Sequence, residues 1–363
     1  MRAGSSASRC LAPILLLAGA CVSAREPVVS WEQDVAFEGP SSALACVVGD
    51  LDPARPGEEI AIGCQSGEAV MVFPEGGGWG SELIFQAGGE VNQCEVGDLD
   101  PRHPGAELVI AGRWPAGEGS FPAMEEPDGP FVIFVSARAD EWGLEAILEV
   151  DATIQAIAVG DLDPDQPGDE LVVACAAHDV HLLSFDQGNW RFDRIGGLPA
   201  DATSASCDGA RAYVGCSDGS ILAFEHGAAG WSGRSVGVSN RPIVGIAARR
   251  GEILCSTSDG TLRLARGGTE EIVHRSRAGF HGAVIADLVR AWPGPEYATA
   301  REDGAMVVVH TGARTGWIAT QVAHDTQGLR DLAVGWVGDA RLALVCAGAS
   351  GQVIVAWPTA TGR

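Results

Sequence analysis

The pentapeptide Gly-Asp-Leu-Asp-Pro occurs three times, at Gly49 to Pro53, Gly97 to Pro101 and Gly160 to Pro164. Each copy is followed by Pro-Gly and then by a glutamate that opens an aliphatic run: Glu59-Ile60-Ala61-Ile62, Glu107-Leu108-Val109-Ile110 and Glu170-Leu171-Val172-Val173. A unit that returns whole, turn residues included, is one supersecondary structure used repeatedly, so its period governs how the chain is read. Fainter copies follow the same plan. Tyr213 to Cys216 leads through Asp218-Gly219 to Ile221 to Phe224, and Glu252 to Cys255 through Asp259-Gly260 to Leu262 to Leu264. A sixth keeps Asp287-Leu288, Pro293-Gly294, Glu296 and Asp303-Gly304, and a seventh runs from Gly335 to Ala356. Asp-Gly between alternating apolar residues is a strong hairpin signal, because the tight turn needs the positive φ that glycine tolerates.

Tryptophan marks the last strand of a unit. Trp79, Trp142, Trp190, Trp231 and Trp317 each have an aliphatic residue five positions on. The seventh unit has no such strand before the chain stops at Arg363, whereas a spare one, Trp31 to Phe37, precedes the first unit. Residues 28–38 are therefore expected to complete the last blade. The fold class expected is all-β: a seven-bladed β-propeller of four-stranded antiparallel blades, closed by the N-terminal strand, which leaves no bare sheet edge. The 49 glycines and the lack of long helical periodicity agree with many tight turns and short strands. The aromatic marks read first as packing between blades rather than as ligand contacts.

Residues 1–24 read as an export signal, with Arg2 and Arg9 before an apolar core from Leu11 to Ala20 that is too short to span a bilayer. Two cleavage readings stay open. Leu17 to Cys21 resembles a lipobox, which would end the signal at residue 20 and leave a lipidated Cys21, while Val22-Ser23-Ala24 fits cleavage before Arg25. Either way residues 25–363 form one domain, placed in the periplasm, the cell envelope or the extracellular space, with a lipid on Cys21 as the sole membrane attachment.

The formal net charge is −24, and all 24 basic residues are arginine. A chain without lysine forms no Schiff base, holds no pyridoxal phosphate as an internal aldimine and builds no P-loop. Such acidity also argues against nucleic-acid partners, whose binding rests on neutralising phosphates. Eight cysteines lie beyond Cys21, an even number in an exported chain. Four of them, Cys64, Cys175, Cys216 and Cys346, however, end the second strand of a unit, where other units place small residues. A Cys46–Cys64 bridge across the first hairpin is the disulfide the spacing allows. No Cys-x-x-Cys occurs, so zinc, redox and covalent haem readings have no basis.

The acidic turn resembles the repeats of the FG-GAP and VCBS families, exported or cell-surface β-propellers whose Asp-x-Asp-x-Asp-Gly loops bind calcium. The resemblance spans most of residues 28–358. It implies calcium as cofactor, held by Asp161, Asp163, Asp165 and Glu170, and by the weaker sets Asp50, Asp52, Glu59 and Asp98, Asp100, Glu107. The chain departs from the pattern: the third Asp is Ala54 or Arg102 in two copies, and Pro-Gly plus one residue intervenes before the Glu. Calcium wants six to eight oxygens. The structural alternative is that the Asp caps its own turn and the Glu begins the next strand.

Two further features point to a ligand. Between the second and third repeats the period stretches, and the excess is a Pro-rich insertion from Arg113 to Pro130 with Trp114, Phe121 and Met124 among four carboxylates. Insertions in repeat proteins map to loops on one face, often the binding face. That face should also carry the start of each inner strand, and counting back from the motif gives Asn92, Gln155, Arg241, His281 and Arg330 as a polar ring at the channel mouth. Such a ring suits carboxylate or hydroxyl-rich ligands.

No Ser-His-Asp set or paired carboxylates can be singled out. The reading is an exported, monomeric binding or interaction module for an unidentified protein or carbohydrate, rather than an enzyme. A carbohydrate-active propeller enzyme, lyase or hydrolase, is the alternative, and a structural role in an envelope assembly comes third.

Overall fold

The structure is a computed structural model that describes residues 29–103, 105–113, 131–138, 142–150, 153–164, 166–312, 316–338 and 341–360. Among these residues twenty-eight strands form seven four-stranded antiparallel sheets, and there is no helix. The inner strands of blades 1 to 7 are Ala43–Gly49, Val91–Gly97, Ile154–Gly160, Ala202–Cys207, Ile243–Arg249, Phe280–Ala286 and Leu329–Val337. Each packs against the inner strands of its two neighbours, and that of blade 7 packs against that of blade 1. The sheets therefore close a ring around a central axis.

Because both faces of every blade are covered, the second strands carry no solvent-facing alternation. Glu59–Cys64 and Glu170–Cys175 are buried at every position. Apolar residues from facing sheets form a cluster in each interface, such as Cys46, Ile60, Ile62, Val345 and Val353 between blades 7 and 1. Trp79, Trp142, Trp190, Trp231 and Trp317 all stand in outer strands. Trp79 Nε1 donates to Asp34 at 2.9 Å and Trp317 Nε1 to Glu271 at 3.1 Å, tying neighbouring outer strands together.

Blade 7 consists of Leu329–Val337, Arg341–Gly348, Gln352–Ala360 and, as its outer strand, Val29–Glu38. The last two pair antiparallel from Val29 opposite Ala360 to Glu38 opposite Gln352. The beginning and the end of the described chain thus share one sheet.

The repeated motif can be read residue by residue. Its glycine ends the inner strand where the next blade approaches. A Cβ on Gly49, Gly97, Gly160 or Gly335 would lie 2.5, 2.2, 2.7 or 2.3 Å from a side-chain atom of Val96, Val159, Cys207 or Val48. The leucine, Leu51, Leu99 or Leu162, is a buried anchor. The second aspartate opens a turn with proline next, and its carbonyl accepts the N–H three residues on, from Arg55, His103 and Gln166. The glutamate reaches back into the loop: Glu59 Oε2 accepts the N–H groups of Leu51 and Asp52, Glu107 those of Leu99 and Asp100, and Glu170 those of Leu162 and Asp163. Glu296 does the same for Leu288 and Val289 in blade 6.

The Cys46–Cys64 bridge that the spacing allows does not form. Both cysteines are free and buried. The register places Cys46 opposite Ile62 and Cys64 opposite Ala43, so the two do not face each other, and Cys46 Sγ donates instead to the Val345 carbonyl. Residues 1–28, with the segment expected to be an export signal, Cys10 and Cys21, lie outside the described residues.

Candidate functional site

The seven inner strands enclose a channel of about 510 Å³. At one end, the mouth, these strands begin and the turns between second and third strands gather. At the other they end, three of them in the Gly-Asp-Leu-Asp-Pro turns, and here Val48, Val159 and Val334 line the wall as an apolar collar.

Of the five ring residues expected from the sequence, Asn92, His281 and Arg330 line the channel and Gln155 and Arg241 do not. Arg241 is corrected to an exposed position on the loop before its strand, 3.7 Å from Asp259. Gln155 is turned into the protein, with Oε1 buried and unpaired. Register shifts at the start of every inner strand, such as Val91 to Gln93 and Ile154 to Ala156, rotate side chains there, and counting from the motif does not see them. His281 lies 3.8 Å from Glu302. Burial holds its imidazole below the usual histidine range, with Glu302 opposing and the Arg330 charge reinforcing.

Sequence reasoning missed the two acids of the channel wall, Glu95 and Asp331. Asp331 Oδ2 accepts the Cys46 N–H at 3.0 Å from the neighbouring blade and Oδ1 the Leu332 N–H at 2.8 Å. Among the described residues no ion pair joins either carboxyl to a basic side chain. Burial pushes Glu95 up to about 8, and the Asp331 charge adds to it; burial also raises Asp331. Two oxygens of the same wall, Asn92 Oδ1 and Ser204 Oγ, are buried without a partner. The missed signal was positional: Asp331 follows the ring residue Arg330, and Glu95 stands two residues before the motif glycine Gly97.

The motif carboxylates are otherwise engaged. Glu59, Glu107 and Glu170 are buried and each holds two backbone N–H groups, as described above. Asp52 bonds Arg55 Nε at 2.9 Å, Asp100 bonds Arg102 Nε and lies 3.3 Å from His103, and Asp163 accepts from Gln166 at 3.1 Å. The Arg102 hydrogen bond holds Asp100 below the usual carboxylate range. Asp50, Asp98 and Asp161 are exposed. Among the described residues no three His, Cys, Asp or Glu side chains converge as cation ligands, so the sets Asp50, Asp52, Glu59 and Asp98, Asp100, Glu107 do not assemble. Asp165 lies outside the described residues.

Trp114, Phe121 and Met124 also lie outside them, as does the side chain of Arg113. The strands that the insertion joins, Glu107–Arg113 and Phe131–Arg138, meet at the mouth end. A second concavity of about 320 Å³ between blades 4 and 5 gathers Arg211, Arg234, Arg263 and Arg266. Glu225, Glu270 and Glu271 pair with three of these arginines, leaving little net charge there.

No protein-family model matches the chain, and no curated protein does. Solved structures do match. The BBS1N structure in complex with ARL6DN superposes with a TM-score of 0.66 at 12% identity, covering 93% of this chain and 99% of that one. The RRP9 WD40 repeats give 0.66 at 11% identity, covering 90% and 98%, and the WD40 β-propeller domain of Doa1 gives 0.63 at 9%, covering 91% and 97%. Likeness at these identities shows the fold, a β-propeller.

Proposed function

We propose that the protein is an exported β-propeller binding module of the cell envelope whose ligand enters the central channel at its mouth. The observation that carries this reading is the contrast between the two ends. At the motif end polar side chains are tied into turns or, as Arg249 is, bonded to the backbone of the next blade, and Val48, Val159 and Val334 stand on the wall. Inside the mouth, buried polar groups are left unmatched, a state that costs free energy unless a ligand completes it. A concave site of a few hundred cubic ångströms with a few converging polar groups is the usual form of a small-molecule pocket. One structural neighbour was solved in complex with a partner protein, which agrees with a binding role. Export rests on the basic start, the short apolar core and the small residues of residues 1–24.

The test has two arms. The full chain, expressed with its own leader in a bacterial host, is expected in the envelope or medium, and retention in the cytosol would overturn export. The purified protein is melted against sugars, sugar acids and amines, since a ligand of the folded state raises the midpoint. Arg330, exposed at the mouth, is replaced by Trp to obstruct it and by Gln to remove only its charge. A ligand that protects wild type and R330Q but not R330W supports the site, whereas protection indifferent to R330W places the ligand elsewhere.

The enzyme reading gains one observation, two carboxylates in one channel. It lacks the His–Tyr pair that would strengthen it: Tyr213 and Tyr297 are buried within blades and do not line the channel. Turnover of an oligosaccharide that is lost in E95Q would favour it over simple binding.

A further inference from the structure

We infer that the channel holds a compact organic cation, a primary amine, with its ammonium group between Glu95 and Asp331 and its methylene chain against the valine collar. The inference rests on the channel being the ligand site and names the chemistry that site selects.

Three observations lead to it. First, the two acids line one cavity, Asp331 from the inner strand of blade 7 and Glu95 from that of blade 2, with the inner strand of blade 1 between them. Small residues, Gly245, Ala247 and Ala283, line the same channel. Second, the basic groups of the channel are directed elsewhere. The Arg249 guanidinium donates to the Ile285 carbonyl at 3.5 Å, His281 faces Glu302, and Arg330 is exposed at the mouth. An acidic pair without a basic partner inside a protein is a standing cost, and an entering cation removes it. Third, two further oxygens of channel-lining residues, Asn92 Oδ1 and Ser204 Oγ, have no partner, and both can accept a hydrogen bond. An ammonium group carries three donors and no acceptor, so it complements carboxylates and lone oxygens together. A bare metal ion fits less well, since no three carboxylate, imidazole or thiolate ligands converge among the described residues. Val48, Val159 and Val334 then offer an apolar wall to the carbon chain.

The order along the axis is thus polar mouth, acidic middle and a floor of valines, with Arg249 tied to the Ile285 carbonyl. A carboxylate ligand, which the arginine and histidine of the mouth alone would suggest, meets like charge one step further in. A small amine meets its complement.

The experiment compares putrescine with 1,4-butanediol, nearly the same size and shape without the charges, by calorimetric titration and by melting of the full mature chain. Putrescine is expected to bind and raise the midpoint, and butanediol to do neither. Glu95→Gln and Asp331→Asn should each weaken putrescine at least tenfold, while Asp50→Asn, an exposed acid at the other end, should leave it unchanged. Both channel variants keep an acceptor oxygen, and their unliganded melting curves establish that they fold. Equal binding of the diol, or unchanged affinity in both channel variants, overturns the inference. So does a shift given by calcium chloride and not by putrescine. If a sugar or sugar acid protects wild type and fails with R330W while putrescine does nothing, the cation inference falls and the channel reading stands. If nothing tested protects the wild type, both fall.

Discussion

His178 holds a left-handed backbone, φ 62°, in the turn between the second and third strands of blade 3. Its N–H bonds the Cys175 carbonyl just as those of Gly67, Gly219, Gly260, Gly304 and Gly351 bond their counterparts in other blades. A side chain with a Cβ is strained there, and its exposed contact with Asp201 returns little. His178→Gly should therefore raise the unfolding free energy by about 1 kcal/mol in urea titration, and a loss would show that the His178–Asp201 contact matters more than the strain. Glu95 gives a prediction in pH. Its folded-state value lies near 8, above that of an exposed glutamate, so the native state keeps a proton that the unfolded chain releases. The stability this confers is complete below about pH 4 and disappears as pH rises through about 8. The melting midpoint should fall over that range less steeply in Glu95→Gln than in wild type, with Glu95→Gln more stable by about 1–3 kcal/mol at pH 8 and the curves converging in acid. Parallel curves would remove the argument. Glu296, raised to about 7 by burial, adds a fall of the same sign to both proteins. Neither Glu95 nor Asp331 stood out in the sequence. A polar residue in a short apolar strand reads as facing bulk solvent, and only the closed ring turns that direction into an interior.

Each motif loop is fixed by one carboxylate that holds two N–H groups. Replacing Glu107 by Ala would leave the Leu99 and Asp100 donors buried and unpaired, at a cost of about 2–4 kcal/mol, whereas Gln keeps an acceptor oxygen and should cost less than about 1 kcal/mol. Chemical denaturation of the two variants checks the difference, and equal effects would mean that the charge, not the acceptor, is what the loop requires. The residue before the glutamate adds a second device where it is acidic. Glu58 Oε2 accepts the Trp336 N–H of blade 7, and Asp169 Oδ2 the Asp98 N–H of blade 2, while the equivalents Ala106 and Pro295 cannot accept. The motif was fully legible in the sequence, but its role was not. Its spacing is the same whether a carboxylate takes a cation or two amides. The nearness of the loop's own N–H groups decides, and that depends on how the loop folds back.

In the whole molecule the closing contact is the pairing of Val29–Glu38 with Gln352–Ala360. Trp31 announced it, since it repeats the mark carried by the outer strands. The positions of the lateral surfaces could not be read in the same way, because they depend on twist and on shifts of register rather than on period. Deleting residues 29–38 should bare the edge of Gln352–Ala360 and give aggregates or strand-exchanged dimers by light scattering. A permutant that links residue 360 to residue 29 and opens between Gly267 and Gly268 should instead stay monomeric. Both glycines have positive φ and open space around them, and the melting midpoint should lie within about 4 °C of the parent. Dissociation of that permutant into fragments or oligomers would show that the position of the seam is itself required.

Val29 and Ala360 also lie at the same pole of the ring, the one formed by the Gly-Asp-Leu-Asp-Pro loops. Any leash attached ahead of residue 29, whether an acyl chain on Cys21 or an affinity tag, leaves from the outer rim of that pole. A body suspended this way turns its opposite side, with Asn92, His281 and Arg330, toward the surrounding fluid. Immobilising the protein by either terminus would therefore leave the opening unobstructed for whatever diffuses in.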